Sequence, residues 1–435
     1  MAFPGRPLRL RARLPLLVGY LFSSGTLLAG SVSQLATFAI LARGLGVEQF
    51  GLLVTVTAVA NVAVQLCGLG ATETLVRRVA PDAALYPRAL GHALILTGAS
   101  GLALTAVLAL ALPAFVTLSP DPVVNALALA ALAATNVVLV RLVLLAEQIF
   151  IARWQIGRAN LAHLGFALGR TAAAALACGA FGVEEAAPWA FWSLAAHLAM
   201  AALAWVAVRG FGPPRWELMR EELPLGLWFT TPFVARALRQ NADLLVLGAV
   251  AGPETVGAFS MARRIVDTSI LSVEALHRLT YPRLARAAGA GYRAMGGLIG
   301  GVFLAALALA LATALGSWLI APGMPWLFGR DFGEMVPDLR AMCGVLVLVA
   351  IHDVAAEVLG ASARHRIRAM LYNIGNLAGA GLSVALTFAL ALPGTILALY
   401  LTEAGLVVAF WSALAVLVRR EVRADPVAVP VGGRA

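Results

Sequence analysis

The chain has 435 residues, 61% of them hydrophobic and only 12% charged, and its mean hydropathy is +0.88. Soluble domains carry roughly a quarter charged residues, so a water-solvated fold could not hide this much apolar surface and lipid must be the main solvent. All 32 basic residues are Arg, which excludes a Walker A loop, a Schiff-base lysine and a protein-kinase lysine. A GC-rich genome accounts for all-Arg usage as well as selection for guanidinium chemistry does.

An apolar run of about 20 residues crosses the hydrocarbon as a helix. The runs here are rich in Leu, Ala and Gly and do not alternate, so they predict helices rather than a barrel. In chain order the spans are predicted over 16–41, 52–74, 90–117, 123–148, 160–182, 188–208, 223–248, 257–280, 295–320, 336–360, 369–391 and 395–418. The fold class is therefore an all-α, polytopic membrane protein with twelve transmembrane helices. "RPLRLRARLPLLVGY" mimics the basic region of a signal peptide, but the apolar run after it is long and lacks a clear cleavage site, so it reads as a retained first span.

Alternate loops differ sharply in Arg. One side carries 22, from Arg6 through Arg77, Arg153, Arg215, Arg283 and Arg364 to Arg434, and the other carries Arg43, Arg330 and Arg340. The positive-inside rule places both termini in the cytoplasm. The net charge of +10 then sits mostly at that face and needs no nucleic-acid partner. Cys67, Cys178 and Cys343 each stand alone in apolar runs and read as small core residues.

Two stretches repeat. "QLATFAILARGLGVEQFG" (Gln34–Gly51) and "QNADLLVLGAVAGPETVG" (Gln240–Gly257) share Gln34/Gln240, Gly46/Gly252, Glu48/Glu254 and Gly51/Gly257 without a gap, 206 positions apart. Each reads as the end of an outgoing helix, a tight turn and the start of a returning one. A second echo joins "ARWQIGRANLAHLG" (Ala152–Gly165) to "ARHRIRAMLYNIGN" (Ala363–Asn376). The chain divides into an N-terminal six-helix lobe, 1–209, and a C-terminal six-helix lobe, 210–435, related as a parallel repeat about an axis along the membrane normal. Similarity forced by membrane composition alone is the alternative.

Seven Arg fall inside the spans: Arg141, Arg170, Arg236, Arg239, Arg263, Arg264 and Arg278. Even the most lenient scale charges ~2.5–3.5 kcal/mol for an Arg at the bilayer centre, so each should face a wet cavity or an ion pair. At 1.5 Å per residue, Arg236 lies near the midplane, with Arg239, Gln240 and Asp243 extending one polar stripe. A cavity role for Arg236 and Arg239 competes with structural pairing to Asp243. In "FSMARRIVDTSILSVEALHRL", residues Ser260, Arg264, Asp267, Glu274 and Arg278 mark a second polar face. Interface anchoring competes for Arg263 and Arg264, and Arg278 reads as an anchor. Gln34, Asn61 and Gln65 line a cavity or bond between helices. Glu147 lies near a cytoplasmic end. His277, His352 and Asp353 read as structural, with proton carriage the alternative. No metal spacing such as HExxH is present.

Arg clusters suit phosphate, through a planar fork that stays charged. The implied ligand is anionic and reaches the bilayer interior, as a lipid-linked pyrophosphate sugar does. The stretches "LARGLGVEQFGLLVTVTAVANVAVQLCGLGATETLVRRVA", "NADLLVLGAVAGPETVGAFSMARRIVD" and "PWLFGRDFGEMVPDLRAMC" resemble the bacterial polysaccharide (O-antigen/exopolysaccharide) flippase branch of the multidrug/oligosaccharidyl-lipid/polysaccharide (MOP) exporter superfamily. Its pattern of an Asp, a Gly-x-x-x-x-Gly turn and an Ala-x-Arg matches Asp243, Gly252–Gly257 and Ala262–Arg264. The resemblance implies a MATE-like pair of bundles in a bacterial inner membrane, acting as a monomer. It implies alternating access that carries an undecaprenyl-pyrophosphate-linked oligosaccharide to the outer leaflet, among membrane lipids and in company with a polysaccharide polymerase. On that reading Arg141, Arg170, Arg236, Arg239, Arg263, Arg264, Gln34 and Gln240 bind substrate. Asp243, Asp267 and Glu147 are the candidates for ion coupling. No catalytic residue, cofactor or metal is expected.

Two other classes compete. A cation-coupled multidrug exporter would want an acidic cavity, yet mid-depth Arg outnumber Asp and Glu. A membrane glycan polymerase or glycosyltransferase would need sizeable external loops, and the longest, around Pro322–Pro337, offers only Arg330, Asp331 and Glu334.

Overall fold

The computed structural model describes residues 10–424 except residue 290. Among the described residues there is no strand; helices joined by short connections make up the fold. They are α1 (Leu10–Leu66), α2 (Ala71–Val79), α3 (Tyr86–Ala111), α4 (Pro122–Ala133), α5 (Val140–Ala152), α6 (Ile156–Ala174) and α7 (Ala186–Val208). After these come α8 (Leu223–Ala251), α9 (Pro253–Ala288), α10 (Gly291–Ile320), the short α11 (Met324–Phe328), α12 (Met335–Ala361) and α13 (His365–Ala424).

Eight stretches of the described residues are long and apolar enough to cross a membrane. Two are pairs of crossings merged across a kink, at Gly46 in α1 and at Ala391 in α13. The charged helices α8 and α9 add two more, so the twelve predicted spans are all present. Large apolar side chains such as Leu110, Phe115, Leu203 and Phe388 are exposed, as expected where lipid replaces water.

The structure refines the second span. A continuous helix over 52–74 is expected, yet α1 ends at Leu66 and α2 starts at Ala71. Gly68, Leu69 and Gly70 between them all have positive φ, at 83°, 46° and 76°. Two glycines make this reversal cheap. Ser100 of α3 satisfies the freed backbone: its Oγ accepts from Gly68 N at 2.8 Å and donates to Leu96 O at 2.6 Å. Helix α4 runs into α5 through a π-helical turn, Ala134–Leu139, and α6 ends in another, Ala175–Ala180. Each widens the helix by one residue per turn and rotates the residues beyond it about the axis.

The chain forms two compact units. The first holds the described residues to Ala237, with Gly252–Gly257 and Trp326–Phe332; the second holds Leu238–Ala251, Ala258–Pro325 and the residues from Gly333 onward. Both repeated turns lie in the first unit and pack on each other. Gly46 (φ 75°, ψ 171°) and Gly252 (φ 85°, ψ 172°) share one conformation. A Cβ at Gly51 would overlap the Pro253 carbonyl, and one at Gly257 would overlap the Val47 carbonyl. Phe332 closes the same corner, edge-on to Phe50 at 5.9 Å.

The second echo is real in backbone geometry but shifted. Trp154 (φ 60°) and Ala363 (φ 58°) end α5 and α12 in the same left-handed cap. The bond Gln155 N to Phe150 O, 2.8 Å, is matched by Arg364 N to Leu359 O, 2.9 Å. The equivalence is 209 positions, two fewer than the sequence echo, which aligns Ala152 with Ala363 where the structure aligns it with Ala361.

The segment between α7 and α8 is strapped to the first unit. Arg215 N donates to Pro87 O at 2.8 Å, and Gly91 lacks the Cβ that would strike the Arg215 carbonyl. Met219 N donates to His92 Nδ1 at 3.2 Å. Arg88 grips Glu217 with two bonds, 3.1 and 2.5 Å, and Glu222 is held by both Arg77 and Arg78. The bond to Arg88 holds Glu217 below its ordinary 4.5. Burial pushes Glu222 up, but the guanidiniums of Arg78 and Arg77 outweigh it and leave the carboxyl below 4.5. Carboxylates with depressed pKa stabilise above the unfolded value and lose that contribution as pH falls through the folded one. Limited proteolysis of 209–222 is thus expected to stay slow above about pH 5 and to accelerate as pH falls below about 4. A cleavage rate that ignores pH over that range would remove these pairs from the strap's support.

Candidate functional site

Helix α8 brings the polar stripe into being. Pro232 opens it at mid-helix, and Arg236, Arg239, Gln240 and Asp243 follow. Arg236 and Gln240, one turn apart, are both exposed, and among the described residues Arg236 has no carboxylate partner. Asp243 turns the other way and is fully buried. Its Oδ1 accepts from Leu244 N at 2.8 Å, and its Oδ2 pairs with Arg263 of α9. The Asp243 partner is thus neither Arg236 nor Arg239, the two that helical spacing suggests.

Arg239 is held by Glu403 instead. Its Nη1 donates to Glu403 Oε1 at 2.6 Å, with Glu403 only 3% exposed. The Arg239 stem runs past Gly379 of α13, where a Cβ would crowd Thr402. Behind Glu403 lies His352 of α12, its Nδ1 at 3.3 Å from Glu403 Oε2. The other ring nitrogen, Nε2, is 3.3 Å from Asp353 Oδ1, which also accepts from Tyr372 OH at 2.8 Å. Phe410 stacks on the His352 ring at 5.8 Å. One ionic chain therefore runs through the second unit across α8, α12 and both halves of α13, and the Asp243–Arg263 pair of α8 and α9 lies within electrostatic range of Glu403. Asp267, Glu274 and Arg278 lie on the exposed face of α9. Arg264 is half-buried one turn before Asp267.

The first unit carries its own buried charges. Arg141 follows the first π-helical turn and is 8% exposed; it lies 3.6 Å from Glu73 of α2, beside the break at Gly68. Glu147, one helical turn and a half further on, pairs with His163 at 3.5 Å. Gly30 of α1 leaves room for that imidazole. Arg170 lies over the Phe166 ring at 5.8 Å. Next to it Thr171 joins Ser33 and Thr37 in a hydroxyl cluster at 2.6 and 2.8 Å. Gln34 is half-buried on the same stretch of α1. Among the described residues no three His, Cys, Asp or Glu side chains are grouped to hold a metal.

Sequence reasoning alone assigns no role to Glu403 or Glu73. A signal for Glu403 exists, since it is a single carboxylate in the apolar run of the last span, and such groups need a partner. The partner itself could not be read, because it lies 164 positions away.

A family model described as polysaccharide biosynthesis protein matches residues 18–287. The chain belongs to that family. No curated protein matches it. Among solved structures it is similar to the lipid II flippase MurJ in an inward closed conformation, with a TM-score of 0.71 and 12% identity over 91% of this chain and 87% of that one. It is also similar to an inward-facing multidrug resistance MATE family transporter of the MOP superfamily: TM-score 0.67, 17% identity, 93% and 94% coverage. A third is a MOP superfamily transporter from Pyrococcus furiosus Vc1, for which a reversed polarity of the binding pocket suggests a different function: TM-score 0.56, 18% identity, 96% of each chain. At such identities the likenesses establish the fold, a multi-pass helical membrane protein of MOP architecture. Family and fold together make the chain a polysaccharide biosynthesis protein built on the fold these transporters share.

Proposed function

We propose that the protein flips an undecaprenyl-pyrophosphate-linked oligosaccharide from the cytoplasmic to the outer leaflet of a bacterial inner membrane. It works by alternating access as a monomer with both termini cytoplasmic, and it feeds a polymerase that consumes the flipped repeat. Arg236, Arg239, Arg170, Arg141, Arg263 and Arg264, with Gln34 and Gln240, receive the anionic head group while the lipid tail stays in the bilayer.

The observation that carries this reading is Arg236, an exposed guanidinium deep in a membrane helix with no carboxylate partner among the described residues. A charge so placed costs several kcal/mol unless water or an anion meets it. Arg239 lies one turn on with a quarter of its side chain exposed, so the two present a fork pair suited to pyrophosphate. Membership of a polysaccharide biosynthesis family supports a glycan cargo. Asp267 and Glu147 keep part of their surface open and suit exchange of a coupling cation; Asp243, closed by Arg263, contributes through that pair.

Hydrogen bonds to charged groups contribute about 1.5–3 kcal/mol each. Replacing both Arg236 and Arg239 by Ala is expected to weaken head-group binding by roughly a hundredfold or more and to abolish polymer export while the protein stays in the membrane. Normal export by the double variant at wild-type protein level overturns the assignment.

A further inference from the structure

Glu403 is a puzzle for any anion receptor, because it occupies Arg239 from within. Its two oxygens have unlike surroundings. Oε1 accepts from Arg239, whereas Oε2 is buried with no hydrogen-bond partner among the described residues. His352 Nδ1, also buried and also without a hydrogen bond, faces Oε2 at 3.3 Å.

The inventory of donors explains this pair of orphans. A neutral imidazole has one N–H. Asp353 draws that proton to Nε2, and Phe410 stacking fixes the ring. Nδ1 then presents a lone pair to the lone pairs of Glu403 Oε2. One added proton turns that contact from repulsive to a charge-assisted hydrogen bond. The charge tally agrees. In contact there stand two guanidiniums, Arg239 and Arg263, against three carboxylates, Asp243, Asp353 and Glu403, while the flanking Arg264 with Asp267 and Arg368 with Glu357 add equal charge of each sign. The cluster is one positive charge short until His352 is protonated. His277 of α9 also faces it, beside Asp353 and buried with both ring nitrogens unbonded among the described residues. Tyr372 donates to Asp353 and carries no charge.

We propose that Glu403 is an internal competitor for the ligand: it holds Arg239 while the site is empty, and a proton taken up between His352 and Glu403 releases the guanidinium to a phosphate or pyrophosphate anion. The proton comes from water and stays on the His352–Glu403 pair. Glu403 gains a cation partner as it loses Arg239, and Arg239 exchanges one anion for another. Arg239 keeps an anionic partner in either state, which matters because an unpaired buried charge is expensive. This rests on the reading of Arg239 as a receptor for the head group.

The test uses the full chain in lipid nanodiscs and farnesyl pyrophosphate as probe, with binding measured from about pH 8 to about pH 5, the span over which imidazole ordinarily titrates. Wild type is expected to bind about tenfold more tightly at the acid end, the effect of about one pK unit of coupling. A phosphate loses charge near pH ~6, so titration of the probe alone would weaken binding, the opposite sign. Glu403→Gln is expected to bind tightly at both ends of the range. His352→Gln keeps the carboxylate on Arg239 and is expected to bind weakly at both. Melting temperature checks that each variant is folded; should Glu403→Gln not fold, the wild-type and His352→Gln profiles decide the matter together. Glu403→Gln as weak as wild type at about pH 8, or a wild-type affinity that does not rise with acid, overturns the competitor role. Arg239→Ala tells the two claims apart. If it abolishes binding while Glu403→Gln changes nothing, only the competitor role falls. If it binds as wild type does, the receptor reading falls as well.

Discussion

Asp243→Ala is expected to destabilise the protein by about 3 kcal/mol, the lower end of the range for breaking a buried ion pair from one side. The loss comes less from the missing attraction than from the guanidinium left behind. Arg263 is mostly buried and turns towards a carboxylate with no exposure at all. Without Asp243 it must either stay charged in a poor solvent or drag its helix out of register. Two neighbours soften the blow: Asp267 and Glu403 both lie within electrostatic range of Arg263, and this places the figure at the lower end. The same logic gives a second, sharper expectation. Removing both partners, as Asp243→Leu with Arg263→Met, leaves no stranded charge, and such replacements are often neutral or stabilising. Thermal unfolding in detergent of Asp243→Leu, Arg263→Met and the double variant forms a cycle. A double variant whose loss equals the sum of the two singles would mean that the two charges act separately.

The sequence exposed much of this architecture because membrane solvent is a strict reader. Each apolar run of sufficient length became a crossing, and α8 and α9 could be placed despite their charges because neighbouring runs fixed their positions. The break at 67–70 was hidden for the same reason. Cys67-Gly68-Leu69-Gly70 is as apolar as the helix around it, so hydropathy shows no gap; only the successive positive φ values reveal one. The repeat was legible where a turn demands glycine, as at Gly46 and Gly252. It slipped by two residues at Trp154 and Ala363, where the αL cap is built by hydrogen bonds and fixes no residue type. The charged positions on α8 were legible too, but their partners were not. Helical spacing suggests Arg239 with Asp243, one turn apart. Burial decides otherwise: Asp243 lies on the face of α8 packed against Arg263, while Arg239 lies within reach of Glu403. Pairing across tertiary distance leaves no mark in a single chain of letters.

Gly51→Ala and Gly257→Ala are each expected to cost more than Gly252→Ala, and the comparison separates two reasons for glycine in a repeated turn. At Gly252 a Cβ would meet open space, but φ 85° with ψ 172° is a region that side chains scarcely enter. The strain there is of order 1–3 kcal/mol, and the packing around it survives. At Gly51 and Gly257 the backbone is helical and unstrained, so an alanine would by itself favour the helix. What it meets is main chain: the Pro253 carbonyl in one case and the Val47 carbonyl in the other. A flexible side chain could move aside from a methyl, whereas a carbonyl tied into a helix start cannot without carrying the turn with it. Overpacking costs about 1–3 kcal/mol and occasionally more, and two rigid backbones place these sites at or beyond the top of that range. Because both methyls would force the same pair of hairpins apart, the second adds little once the first is in place. The double variant is therefore expected to fall short of the sum of the singles. Melting temperatures of the three singles and the Gly51→Ala/Gly257→Ala double test this directly. Full additivity would show that the two turns do not share one contact, and a Gly51→Ala protein as stable as wild type would show that the hairpins do not need their close approach.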